Sequence, residues 1–175
     1  MQHPHDGAIE GARSLSIGAA GAGDLHAVVD VLMSSRRTFI PYAPIAHDEQ
    51  AVACWMKALI ARDGRVSVAR LDGAVVGMIA VRTGEDVQWI DQLYLAPGHV
   101  GMGIGRQLLA HGLRILGRDF PVRLYSFQAN RGARKFYERA GFRAIAFSDG
   151  RDNEERCPDV LYQLEAVPAA SGRRS

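Results

Sequence analysis

Between residues 93 and 109 the chain reads Leu-Tyr-Leu-Ala-Pro-Gly-His-Val-Gly-Met-Gly-Ile-Gly-Arg-Gln-Leu-Leu, with alternating glycines at 101, 103 and 105. Glycines between a strand and the first turn of an amphipathic helix let the main chain approach a ligand closely and leave its N–H groups pointing outward. Those donors, together with the positive end of the helix dipole, make an anion site suited to a pyrophosphate. A nucleoside-triphosphate loop requires Gly-Lys-Ser/Thr after its last glycine, whereas Gly105 is followed by Arg106 and Gln107, which argues against that chemistry. The dinucleotide pattern Gly-x-Gly-x-x-Gly requires glycine at 106 and a strand–helix–strand unit opening the domain. Arg106 and a preceding strand meander fail both conditions.

A second constellation follows after one helix and one strand: Asn130-Arg131-Gly132-Ala133-Arg134-Lys135-Phe136-Tyr137-Glu138-Arg139-Ala140-Gly141-Phe142. The two segments, in this order, resemble the acyl-CoA motifs of the GNAT superfamily of N-acetyltransferases. The first motif is Gln/Arg-x-x-Gly-x-Gly/Ala after a strand ending in hydrophobic-x-Val-x-Pro; the second is Asn-x-x-Ala-x-x-Phe-Tyr-x-x-x-Gly-Phe. Gly103 and Gly105 match the first motif, and Val100 stands where the family carries Gln or Arg. That departure removes one side chain from the phosphate cradle, leaving the main-chain donors, with Arg106 as a compensating charge. Asp91-Gln92-Leu93-Tyr94-Leu95 upstream and the polar run 149–159 downstream resemble a bacterial branch of the superfamily with unassigned substrates. The similarity spans residues 16–165 and is weakest in its N-terminal third.

The resemblance implies acetyl-CoA as co-substrate and direct attack by a neutral amine, without a covalent intermediate. Such a reaction needs a stabilised oxyanion and a proton for the departing thiolate. By resemblance, Leu93, Tyr94 and Leu95 hold the pantetheine arm on a strand splayed at a bulge, with the Leu95 N–H polarising the thioester. Val100, Gly101, Met102, Gly103, Ile104, Gly105 and Arg106 would hold the pyrophosphate, and Asn130, Ala133 and Phe136 complete the cofactor site. Tyr137 is the candidate general acid, or else a core tyrosine. Asn130 caps the helix after it, contacts the pantetheine, or both. Asp91 is the first choice of base, against the alternative that it pairs with an arginine.

For the acceptor, relatives use the region between the first two helices, here Arg36, Arg37, Tyr42 and His47. Two arginines there hint at an anionic acceptor, although surface arginines are common. His47, Glu154 and Glu155 suit a pocket wall or solvated loops, and Trp55 and Trp89 are assigned to the core. The acceptor is expected to be an amine on a small molecule or peptide, and paired sheet edges in the family make a homodimer an expectation. The rival reading is a non-catalytic acyl-CoA sensing module.

These residues need a scaffold, and 175 residues suffice for one. The net charge of +2 is dispersed without a Lys/Arg block, so neither nucleic acid nor an anionic membrane is an expected partner. Two isolated cysteines give no metal or disulfide pattern. No apolar run reaches about 18 residues, and residues 1–13 lack a signal-peptide core, so the cytoplasm is the expected location. Residues 1–13 and 167–175 read as flexible tails around one domain, 14–166.

Hydrophobic spacing predicts strands at 15–17, 66–71, 74–81, 87–95, 122–127, 142–147 and 160–165. Helices are predicted from Asp24, from about Asp48 with Gly64 beyond its end, over 106–116, and over 131–140. Asp72-Gly73 signals a hairpin. The fold expected is α+β in three layers: a GNAT-like mixed central sheet of six to seven strands flanked by about four helices.

Overall fold

A computed structural model describes residues 13–62 and 65–167. Seven strands, β1 (Leu15–Ala19), β2 (Val66–Leu71), β3 (Ala74–Arg82), β4 (Gln88–Leu95), β5 (Val122–Phe127), β6 (Arg143–Ser148) and β7 (Asp159–Leu164), form one sheet in the order β1-β2-β3-β4-β5-β7-β6. Four helices, α1 (Leu25–Phe39), α2 (Glu49–Ile60), α3 (Ile104–Leu116) and α4 (Arg131–Arg139), cover its faces. The expected mixed α+β architecture is the one observed. Of the expected tails, only Arg13 and Val167 are described, and the Val167 N–H donates to the Arg118 carbonyl. Gly64 lies outside the described residues. Among the described residues no helix is long and apolar enough to cross a membrane.

Local chemistry sets most boundaries. Asp72 and Gly73 have φ of 51° and 86°, the two left-handed residues that a tight hairpin between right-twisted strands requires. Asp48 accepts the Ala51 N–H at 2.8 Å and Asn130 accepts the Ala133 N–H at 3.1 Å, each satisfying a donor at a helix start. Asp24, expected to do the same for α1, does not. Its carboxylate receives the Gly21 N–H at 2.7 Å and Arg70 at 2.7 Å instead, tying the start of α1 to β2.

The sheet separates two apolar layers. On one side Val28, Leu32 and Met33 of α1, with Val52 and Met56 of α2, pack on Val66, Val68 and Met78. On the other, Leu108 and Leu109 of α3, with Tyr137 of α4, meet Ile79, Leu124, Val160 and Tyr162. A Cβ at Gly112 would stand 2.5 Å from Ile79 Cδ1, so the side-chain-free face of α3 is what lets it sit this low on β3. Neither tryptophan belongs to the core as expected. Trp55 is 42% exposed on the rim of α2, because Val52 and Met56 already fill that helix's buried stripe. Trp89, next to the core residue Ile90 in β4, faces the sheet surface away from it, stacked on Tyr125 at 5.9 Å with Arg82 5.2 Å over its ring.

The break that makes a site is at the centre of the sheet. Gln92 pairs with Ala80 and Ile90 with Val81, so Asp91 is the extra residue of a β-bulge in β4. Parallel pairing between β4 and β5 is confined to Gln88–Val122 and Trp89–Arg123. Beyond it the two strands part, leaving the end of β4 unpaired on one edge.

Candidate active site

The unpaired edge of β4 carries a definite pattern of main-chain groups. The Ala96 N–H donates to the Val76 carbonyl at 2.9 Å. In an antiparallel ladder the bonded residues alternate, so Tyr94 and Gln92 also face β3 while Leu93 and Leu95 present their N–H and C=O to the gap. Their side chains turn towards α3, and Tyr94 turns towards α1.

The gap opens into a cleft of about 780 Å³ lined by the end of β4, the glycine turn and the start of α4. Gly101 and Gly103 have φ of 86° and 79°, in the left-handed region, and the space where a Cβ would stand is open at both. Gly103 is the residue before α3, with no side chain capping the helix. The Gln107 N–H donates to the Gly103 carbonyl at 3.2 Å, so the amides of Ile104, Gly105 and Arg106 precede the first helical donor and have no acceptor within the helix. Among the described residues Arg106 and Arg131 line the cleft, and no Asp or Glu does. Free amides, a helix N-terminus and two guanidiniums suit a diphosphate; Leu93, Leu95, Ile40 and Phe136 suit an extended, largely apolar arm.

Not every residue expected at the cofactor contributes a side chain. Val100, Gly101, Gly103, Gly105, Arg106, Asn130, Ala133 and Phe136 line the cleft, and Val100 is 53% exposed at its mouth. Ile104 is buried in the core under α3, which leaves its N–H as its one contribution, and Met102 points to solvent outside the lining. Arg131, Ser35 and Phe39 were missed. Arg131 was the detectable one, as a cation at the first position of a capped helix.

Two further hollows adjoin this cleft. One, of about 600 Å³, lies over the bulge and draws on Asp91, Tyr125, Ser126, Asp152, Glu155 and Asp159. The other, of about 550 Å³, lies between α1, α2 and the loop before β7, with Arg36, His47, Trp55 and Glu154 in its wall. Tyr94 borders all three spaces, and Tyr137 borders the glycine-turn cleft and the hollow at the bulge.

Tyr137 is 8% exposed, and among the described residues its hydroxyl makes no hydrogen bond although its ring packs on Phe136, Phe142 and Tyr162. Burial, and after it the neighbouring Tyr94, push its pKa well above that of free tyrosine. It is therefore a neutral phenol with an unused donor. Burial also raises Tyr94, against the pull of the adjacent Arg36 guanidinium.

The charged groups are less free than their types suggested. Asp91 lines the hollow at the bulge but holds Arg82 through both oxygens, Nη2 to Oδ1 at 3.0 Å and Nε to Oδ2 at 3.2 Å. The arginine-pairing alternative is thus the geometry observed. Arg36 donates to Glu155 at 3.0 Å and to the Pro44 carbonyl at 3.3 Å, so its charge is balanced within the site. Arg37 lies away from all three spaces, exposed and 3.7 Å from Glu49. His47 meets Glu154 at 3.1 Å across the mouth of its hollow. Tyr42 lines none of the three; its ring packs edge-on against Phe127, 6.2 Å between centroids, and its carbonyl accepts the Cys157 thiol at 3.7 Å.

Residues 28–142 match the sequence model of the acetyltransferase (GNAT) family. The chain belongs to this family. It is accordingly an acyltransferase, and the expected GNAT-like sheet with its splayed fourth strand is the family's fold. Compared by sequence with curated proteins, the chain matches none.

Solved structures of the same fold include the ribosomal-protein-S18-alanine N-acetyltransferase of Escherichia coli, 18% identical with a TM-score of 0.71 over 91% of this chain and 98% of that one. PaiA N-acetyltransferase of Thermoplasma acidophilum, solved with coenzyme A, is 20% identical with a TM-score of 0.69 over 88% and 99%. Naa50 of Arabidopsis thaliana, solved with the bisubstrate analogue CoA-Ac-MVNAL, is 20% identical with a TM-score of 0.65 over 87% and 99%.

Proposed function

We propose that the protein transfers an acetyl group from acetyl-CoA to a primary amine by direct attack within a ternary complex. The observation that carries this reading is the hydroxyl of the buried Tyr137, which makes no hydrogen bond among the described residues and stands where the glycine-turn cleft meets the hollow at the bulge.

The diphosphate of the co-substrate sits on the amides of 101–106, with Arg106 and Arg131 supplying the charge that Val100 does not. The pantetheine arm runs along the unpaired edge of β4, its amides exchanging hydrogen bonds with the main chain of Leu93 and Leu95. The thioester carbonyl accepts from the Leu95 N–H, a donor whose stabilisation grows as the oxygen becomes an oxyanion. The amine enters from the hollow at the bulge and attacks the carbonyl carbon. The C–S bond breaks as the tetrahedral adduct collapses, and the thiolate takes a hydrogen bond or proton from Tyr137. The amine's proton leaves through water towards Asp91, because both oxygens of that carboxylate are engaged by Arg82.

A sensing module would need the glycine turn but not a neutral phenol with a free donor at the reacting end. The test is twofold: titration calorimetry with acetyl-CoA, and coenzyme A release in the presence of small primary amines and short peptides with free N-termini. Micromolar binding with amine-dependent release supports transfer. Binding with silence across the amines supports the sensor, and absence of binding refutes the cofactor assignment.

A further inference from the structure

The hollow between α1, α2 and the loop before β7 is chemically unlike the one at the bulge. Each carboxylate or basic side chain in its wall has a partner within that wall: Arg36 meets Glu155 at 3.0 Å, and His47 meets Glu154 at 3.1 Å. The rest of the wall is largely apolar, with Leu32, Ile45, Val52 and the ring of Trp55. Its volume of about 550 Å³, and its mix of apolar surface with a few fixed polar groups, are those of a small-molecule site.

Trp55 supplies a second, independent observation. Ala51 and Trp55 stand about one helical turn apart on α2, and both border the hollow. Val52 and Met56 complete the buried stripe of that helix, so the core does not need the indole, which is left 42% exposed. An isolated apolar residue on a convex surface would carry no meaning, but this one borders a concavity whose other walls are apolar as well. Gln92, Tyr94 and Glu155 border both this hollow and the one at the bulge, so the two spaces meet beside the reacting end.

Resting on the transfer reaction proposed above, we infer that the acceptor carries its primary amine on an apolar, ring-sized group, which is bound in this hollow against Trp55, Ile45 and Leu32. The amine reaches the thioester past Tyr94, while the apolar group leaves water for the indole and its neighbours. A charged tail is disfavoured in the same space. An anion would find Arg36 committed to Glu155, and a cation would find both carboxylates already matched, so either would lose hydration without a free counter-charge. A free arylalkylamine and a peptide beginning with an aromatic residue share this chemistry.

The test uses two matched pairs, 2-phenylethylamine against n-butylamine and the tripeptide Phe-Gly-Gly against Gly-Gly-Gly, with 1,4-diaminobutane and 4-aminobutanoate as charged controls. Rates are referred to the neutral amine, so that basicity does not enter. The aromatic member is expected to exceed its partner in kcat/KM about tenfold, and neither charged control to exceed n-butylamine per amine. Trp55→Ala should cut that advantage about fivefold and Trp55→Phe should restore most of it. Thermal melting should be unmoved in both variants, because the indole lies outside the core.

The pair with the larger advantage names the source of the ring. Equal kcat/KM within both pairs, an advantage that Trp55→Ala leaves whole, or a preference for either charged control overturns the inference while leaving transfer intact. Should no amine release coenzyme A, calorimetry of 2-phenylethylamine and of Phe-Gly-Gly on the coenzyme A-loaded protein decides. Saturable binding of either, weakened by Trp55→Ala, upholds the apolar site although transfer fails, and its absence overturns it.

Discussion

The glycine-turn cleft, proposed above to hold the co-substrate, takes most of its lining from one continuous stretch, 93–106, together with a single capped helix start at 130. The hollow at the bulge, proposed above to admit the amine, takes its wall from β4, β5 and the loop before β7, side chains brought from residues 91, 126, 152 and 155. The first is made of main-chain amides, small residues and two arginines; the second of carboxylates, hydroxyls and rings. Main-chain donors at a helix start suit a diphosphate, and a local glycine pattern can encode them. An acceptor is recognised by side chains, which only the arrangement of distant loops brings together.

The comparison is broken most severely at Gly103. With φ at 79°, Gly103→Val places a β-branched residue in a conformation it avoids and fills the open space over the helix start. Calorimetry should show acetyl-CoA binding abolished, while thermal melting records a loss of about 1–3 kcal/mol with the domain still folded. Unaltered affinity would remove the glycine turn from the cofactor site.

Tyr137→Phe separates chemistry from binding. Because the hydroxyl has no protein partner among the described residues, its removal should leave the fold and acetyl-CoA affinity nearly unchanged while lowering kcat about 100-fold. Equal losses in kcat and affinity would make Tyr137 a packing residue. The raised pKa adds a check through the pH profile. Burial holds the proton on the phenol, so kcat/KM should climb as the amine loses its proton and show no fall from tyrosine ionisation up to roughly pH 10.

The smallest effect is expected at Asn130, where helix cap and cofactor site coincide. Asn130→Ala removes the acceptor for the Ala133 N–H and should cost about 1 kcal/mol in denaturant unfolding. Acetyl-CoA affinity should fall a few-fold with it, as the start of α4 loosens. Asn130→Asp, which keeps the cap, should restore stability, and the affinity that it does not restore measures the side chain's own contact with the co-substrate.

Hydrophobic period, turn residues and caps made the strands and helices legible, since each depends on neighbours in the chain: Asp72-Gly73 for the hairpin, Asp48 and Asn130 for two helix starts. Asp24 was misread because a distant Arg70 competed for its carboxylate. Trp55 and Trp89 were misread because size and apolarity do not say which face of an element is covered. Arg36 and Asp91 kept their places beside the site but changed their meaning, since each is matched by a partner that spacing along the chain does not reveal.

By itself, the sequence determined the family and so the class of chemistry: a glycine turn at a helix start and the Asn130-to-Phe142 segment stand in a fixed order along the chain. That much is local, because amides and caps act over a few residues. The tertiary structure alone decided which charges remain free. Electrostatic pairing is set by distances through space, and Arg36 meets Glu155 across 119 positions of chain. The acidity of the hollow at the bulge therefore follows from the folded arrangement rather than from any one segment.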